Sequence, residues 1–196
     1  MLLNMARKGI LTKNQIIDTA FALVKGEGVE CLNARSLAKA CHTSTQPIFT
    51  LFPSISEIEK EVKDKSYALY DSLIQRALEE KIKPFQAVGN AYLHFAISYP
   101  NLFRLIFMSE SDQSYCHFTI DHNAEKILAE VMEEYHLSKE YSRRLYFESW
   151  VYTHGLATMI VTKTMKLSNG ELSRMMHDVV YGTYLGLKEE MEKKHE

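Results

Sequence analysis

Between Thr12 and Phe52 the chain carries three short amphipathic runs separated by breaks of only a few residues, and this spacing restricts the fold more than any other feature. Ile16, Ile17, Ala20, Phe21, Leu23 and Val24 recur at helical intervals behind Thr12, a suitable N-cap, and Gly26 or Gly28 can stop the helix. Asn33 can cap a second helix through Leu37, Ala38 and Cys41, with Arg35 and Lys39 on its open side. His42, Thr43 and Ser44 precede a third run, Thr45 to Phe52, in whose first turn Pro47 forfeits little by lacking an N–H. Two short helices joined by such a turn and braced by another are either a helix-turn-helix, whose second member can enter a DNA major groove, or an ordinary helical hairpin. The run Thr43, Ser44, Thr45, Gln46, Thr50 favours the first, because it offers hydrogen-bonding groups and no acidic charge.

The remainder is also helical in pattern. Ser54 and Glu57 form a capping-box pair ahead of a long helix through Ile58, Val62, Leu69, Leu73, Ile74 and Leu78 to about Lys81. That helix, over 54–81, reads as a connector between an N-terminal domain (1–53) and a larger C-terminal one (54–196). Pro84 opens a helix carrying Phe85, Val88, Tyr92, Phe95 and Ala96, and Pro100 ends it before a short aromatic segment, Leu102 to Met108. Ser109 to Ser114 reads as a loop. Helical periodicity returns over Phe118 to Tyr135, from Ser138 to about Met165, and from about Gly170 to Lys193. Without strand alternation or an internal repeat, the expected fold class is all-α.

Composition narrows the function classes. With 46% hydrophobic residues and four prolines, the chain can build a real core. Cys31, Cys41 and Cys116 are odd in number and form no C-x-x-C pair, which argues against a disulfide framework and a zinc knuckle and suits a reducing cytoplasm. The opening Met-Leu-Leu-Asn-Met is too short for a signal peptide, and Val151 to Val161, interrupted by His154, falls short of a membrane span; a soluble protein without a membrane partner is expected. Residues 1–53 hold six Lys/Arg against three Asp/Glu, whereas the rest holds 17 against 22, so the basic part comes first. No H-E-x-x-H, phosphate-binding glycine loop or G-x-S-x-G elbow occurs, and His117 and His122 are five apart, a poor spacing for two ligands on one helical face. Neither an enzyme, a metal site nor a cofactor is expected.

The stretch from Ser36 to Phe52, ahead of Pro53-Ser54, resembles the DNA-binding signature of the TetR family. Tyr99 to Met108, and Trp150 with His154-Gly155-Leu156-Ala157, are similar to a C-terminal domain common in that family, the WHG type, named for its Trp, His and Gly. The resemblance implies a ligand-responsive transcriptional regulator, a repressor or else an activator, that binds palindromic double-stranded operator DNA as a homodimer. It places Asn33 at the cap of helix 2 near a phosphate and Arg35 at a base-contacting position, where arginine's fork matches guanine, although a solvated arginine is the plain alternative. Thr43 and Ser44 correspond to phosphate contacts, Thr45 and Gln46 to early recognition-helix positions, and Thr50 to one facing the groove; the Gln46 amide suits adenine. Ile48 and Phe52 belong to the core of the small domain.

Three residues depart from that pattern. His42 stands for a turn glycine, Phe49 for a tyrosine whose hydroxyl touches a phosphate, and Ile55 for a phosphate-neutralising lysine. Losing one cationic contact per subunit should lower the salt slope of operator binding by ~2 per dimer, at about 0.9 per phosphate. Modest operator affinity is therefore expected, with Arg7, Lys8 and Lys39 compensating in part, and a dimer that has lost DNA binding is the rival reading.

For the larger domain the resemblance implies a dimer built from the last two long helices and a cavity for a small effector. Gly182 and Gly186 lie four apart on one helix and Gly155 on the helix before it; mid-helix glycine costs about 1 kcal/mol against alanine, which a close approach across a two-fold axis or within the chain would justify. Phe95, Phe103, Phe107, Phe118, Tyr146, Trp150 and His154 supply aromatic cavity walls or plain core, and they suit an apolar or amphipathic effector of unknown identity.

Overall fold

The computed structural model describes residues 11–80, 82–109 and 124–194, and every regular element among them is helical. The chain forms two compact units, residues 1–68 and 69–196, with the division inside a continuous helix.

In the first unit, Thr12 caps α1 (Lys13–Glu27): its Oγ1 accepts from the Gln15 N–H at 3.3 Å while the Gln15 side chain accepts from the Thr12 N–H at 2.9 Å. Of the two candidate stops, Gly28 ends the helix. Its φ of 97° lies where side-chain-bearing residues strain, and its N–H closes onto the Val24 carbonyl. A single 3₁₀ turn, Val29–Cys31, leads into α2 (Ala34–Ala40), and α3 (Thr45–Leu51) follows after a tight corner. The first half of α4 (Ile55–Leu78) joins them. Ile16, Ala20 and Val24 of α1, Leu37 of α2, Ile48 and Phe52 of α3 and its C-cap, and Ile58 and Val62 of α4 are all essentially removed from solvent. Full burial stabilises each large apolar side chain by about 1.5–3 kcal/mol, an upper estimate. On the rim, Lys65 pairs with Asp18 and lies 5.3 Å above the Phe21 ring.

The second unit holds the rest of α4, then α5 (Pro84–Ser98), α6 (Pro100–Phe107), α7 (Ala124–Tyr135), α8 (Lys139–Val161) and α9 (Asn169–Lys193). α5 packs on α6, α7 and α8, and α8 packs in turn on α7 and α9. The segment after Pro100 is itself a helix. Proline stands at its first position, where no N–H is needed, and Tyr99 alone separates the two helices. α8 stops at Val161, short of Met165, because Lys163 turns left-handed (φ 60°) and the Thr164 and Met165 N–H groups both return to the Met159 carbonyl. Ser168 and Glu171 form a full capping box on α9, so that helix begins at Asn169. The start of α5 has a cap from elsewhere: the Glu130 carboxylate of α7 accepts the Phe85 N–H at 2.8 Å, placing negative charge at a helix N-terminus. Burial pushes the Glu130 carboxyl above its usual range. Beside it, Lys83 pairs with Glu134. Among the described residues no helix is long and apolar enough to cross a membrane, and no three His, Cys, Asp or Glu side chains gather as metal ligands.

Candidate DNA-reading face and effector cavity

α2 and α3 meet through a Schellman corner. With Cys41 as the C-cap of α2, the Thr43 N–H donates to the Ala38 carbonyl at 3.0 Å and the His42 N–H to the Lys39 carbonyl at 3.1 Å. The geometry requires a left-handed residue after the cap, and His42 supplies it with a φ of 52°, where glycine is the usual occupant. α3 then turns Ile48 inward and leaves Gln46, Phe49 and Thr50 exposed, Phe49 to 42%. Thr45 is half-buried, and Thr50 donates to the Gln46 carbonyl at 3.0 Å. Ser44 caps α3 by backbone conformation alone, without a side-chain cap bond. Arg35 and Lys39 are exposed on α2, Thr43 is half-buried, and neither α2 nor α3 has an acid in its first turn.

Asn33 differs from expectation in one respect. Its Oδ1 accepts both the Arg35 and Ser36 N–H groups, at 3.1 and 3.0 Å, and its Nδ2 donates to the Cys31 carbonyl. The amides expected to remain open for a phosphate are thus taken by the cap itself, which makes Asn33 first a stabiliser of the α2 terminus. Arg7 and Lys8 lie outside the described residues.

The second unit contains a cavity of about 730 Å³, within the range of small-molecule sites. Its buried wall comprises Tyr70 of α4, Val88 and Tyr92 of α5, and Tyr146, Ser149 and Thr153 of α8; Phe85 and Trp150 add ring surface. Exposed Lys83, Arg174 and His177 also line it, with half-buried Glu134 paired to Lys83. Thr153 Oγ1 donates back to the Ser149 carbonyl at 2.7 Å, whereas Ser149 Oγ is buried without a hydrogen-bond partner.

Of the aromatic residues expected on the wall, Tyr146 and Trp150 are there. Phe95, Phe103 and Phe107 instead form a closed cluster that touches the cavity residues Tyr70 and Tyr92 edge-on or tilted, with ring centroids 5.0 to 6.1 Å apart. They are core, since α5 and α6 turn these faces toward each other, and Phe95 and Phe103 are wholly buried. His154 also lies off the wall. It stacks between Phe103 and Trp150 at 6.0 and 5.6 Å, and its Nδ1 is 2.7 Å from the Tyr92 hydroxyl. Burial lowers its pKa, favouring the neutral ring. Phe118 lies outside the described residues. Periodicity marked the inward face of α8 without separating wall from core; Ser149 and Thr153, small polar residues four apart on that stripe, were the available signal. For Tyr70 and Arg174 the sequence held none.

Gly155, Gly182 and Gly186 are exposed, and a Cβ at any of them would meet nothing within 4 Å. A close approach inside this subunit therefore does not account for them. They share their helix faces with exposed apolar side chains: Phe147, Val151 and Met159 follow Gly155's register on α8, and Tyr181 and Leu185 flank the glycines of α9.

Residues 85–180 match the model of a family described as Tetracyclin repressor-like, C-terminal domain. No curated protein matches the chain.

Proposed function

We propose that the chain is a TetR-family regulator, as the match of residues 85–180 to a TetR-like C-terminal domain supports, and that it is a repressor which binds palindromic operator DNA as a homodimer and leaves it when an apolar or amphipathic molecule occupies the cavity. The observation that carries the DNA-binding half is the face of α3: Gln46, Phe49 and Thr50 are turned to solvent, free of acidic neighbours, behind a tightly closed corner. Gln46 reads adenine, Arg35 reaches a guanine edge, and Thr43, Ser44 and Thr45 hold the backbone. Phe49 cannot donate to a phosphate and turns an apolar edge to the groove instead, where a thymine methyl is its natural partner.

Dimerisation is supported by the apolar strip on α8 and α9. Exposed glycines interleaved with exposed Phe147, Val151, Tyr181 and Leu185 suit the close, isologous approach of a second copy. An effector shifts the equilibrium between two dimer geometries, of which only one sets the recognition helices at a matching pitch on the duplex. Tyr70, on the helix that follows α3, lines the cavity and gives occupancy a route to that helix.

Selection of bound DNA from a random pool tests the reading. A two-fold symmetric consensus is expected, with half-sites about one helical turn apart or a multiple of it. A folded dimer that enriches no sequence even at low salt would instead favour the reading in which Phe49 and Ile55 mark lost DNA binding.

A further inference from the structure

The chemistry of the cavity is lopsided. Its depth is ringed by Tyr70, Phe85, Tyr92, Tyr146 and Trp150, while the charged groups that line it are exposed Lys83 and Arg174 and half-buried Glu134. Lys83 and Glu134 neutralise each other as an ion pair. Arg174 has no salt bridge among the described residues, and Glu171, its nearest acid in sequence, is hydrogen-bonded to Ser168 in the α9 capping box while also feeling the Arg174 charge. One guanidinium without a salt-bridge partner thus lines an aromatic cleft. Deeper in, Ser149 Oγ is a buried hydroxyl without a partner, a group that gains from any ligand atom able to complete its hydrogen bond.

We propose that this cavity selects an aromatic carboxylic acid, with its rings against Tyr146, Phe85 and Trp150, its carboxylate on Arg174 and a further polar atom at Ser149. The proposal rests on the reading of the cavity as the effector site and adds the ligand class. Ring faces favour a flat aromatic body over a saturated chain, because offset and edge-on ring contacts add to simple area burial. The guanidinium favours a planar anion, which it can hold with two parallel bonds, over a neutral or cationic group.

Trp150 is the chain's single tryptophan and lies on the cavity wall, so its fluorescence reports occupancy there. The full-length protein would be titrated with diphenylacetate, with the neutral diphenylacetamide and with dodecanoate, and the fluorescence affinities checked by calorimetry. Diphenylacetate should bind about fivefold more tightly than its amide, the most an exposed pair is ordinarily worth. That preference for acid over amide should vanish in Arg174→Gln, and Ser149→Ala should weaken both aromatic probes. Equal affinity for acid and amide, or tighter binding of dodecanoate, overturns the proposal while leaving an effector cavity in place. If no probe changes Trp150 fluorescence or releases heat, the cavity reading itself fails along with the ligand class.

Discussion

Val151→Glu is the sharpest test of the proposed dimer, since Val151 lies on the outer face of α8 and is 49% exposed in the single subunit. Complete burial of valine is worth about 1.5–3 kcal/mol, so the half still exposed corresponds to about 1 kcal/mol. An isologous interface counts each position twice. Val151→Ala should therefore weaken the dimer by about 2 kcal/mol, roughly thirtyfold in Kd. Glutamate removes the same apolar contact and in addition brings two carboxylates into a shared apolar interface; desolvation and mutual repulsion add at least about 2 kcal/mol, for a total near a thousandfold. Sedimentation velocity over a concentration series measures the constant, and circular dichroism checks that helix content is unchanged, as it should be for an exposed side chain. Operator binding by gel shift should fall in parallel. A Val151→Glu protein that dimerises as tightly as the wild type would show that the α8 face is not the interface.

Asn33→Ala should destabilise the protein by about 1 kcal/mol and lower Tm by a few degrees, because the Arg35 and Ser36 amides lose their cap; Asn33→Asp should hold stability near the wild type. His42→Val should cost about 1–2 kcal/mol in denaturant unfolding, as a β-branched residue is forced to positive φ, whereas His42→Asn should be close to neutral. Burial depresses the His154 pKa below its usual value, so on acidification the unfolded chain takes up that proton first. The resulting stability is complete above the ordinary histidine range, is lost as pH falls through it, and levels off below the folded-state pKa; a Tm series from about pH 8 to pH 5 should show a shallower fall in His154→Phe than in the wild type.

Local signals located most of the helices because helix ends are decided by neighbouring residues. Thr12, Asn33, Ser138 and Ser168 are N-caps with bonds to amides two or three residues on, and such pairs can be read from the chain. The left-handed His42 was anticipated only through the resemblance, which puts a glycine at that turn position. Where the deciding partner is remote, the sequence was silent. The cap on α5 is a carboxylate 45 residues away, and no local pattern announces it. Aromatic periodicity showed that Phe95, Phe103, Tyr146 and Trp150 face inward, yet core and cavity wall have the same hydrophobic signature; only the packing of α5 against α6 and α8 placed the first two in a closed cluster and the last two on an open wall. In the same way, the sequence by itself determined that Gly155, Gly182 and Gly186 interrupt long helices. Tertiary structure alone decided that their faces are turned outward, because whether a face is covered depends on which helices close over it, and that is a property of the assembled core and not of any one segment.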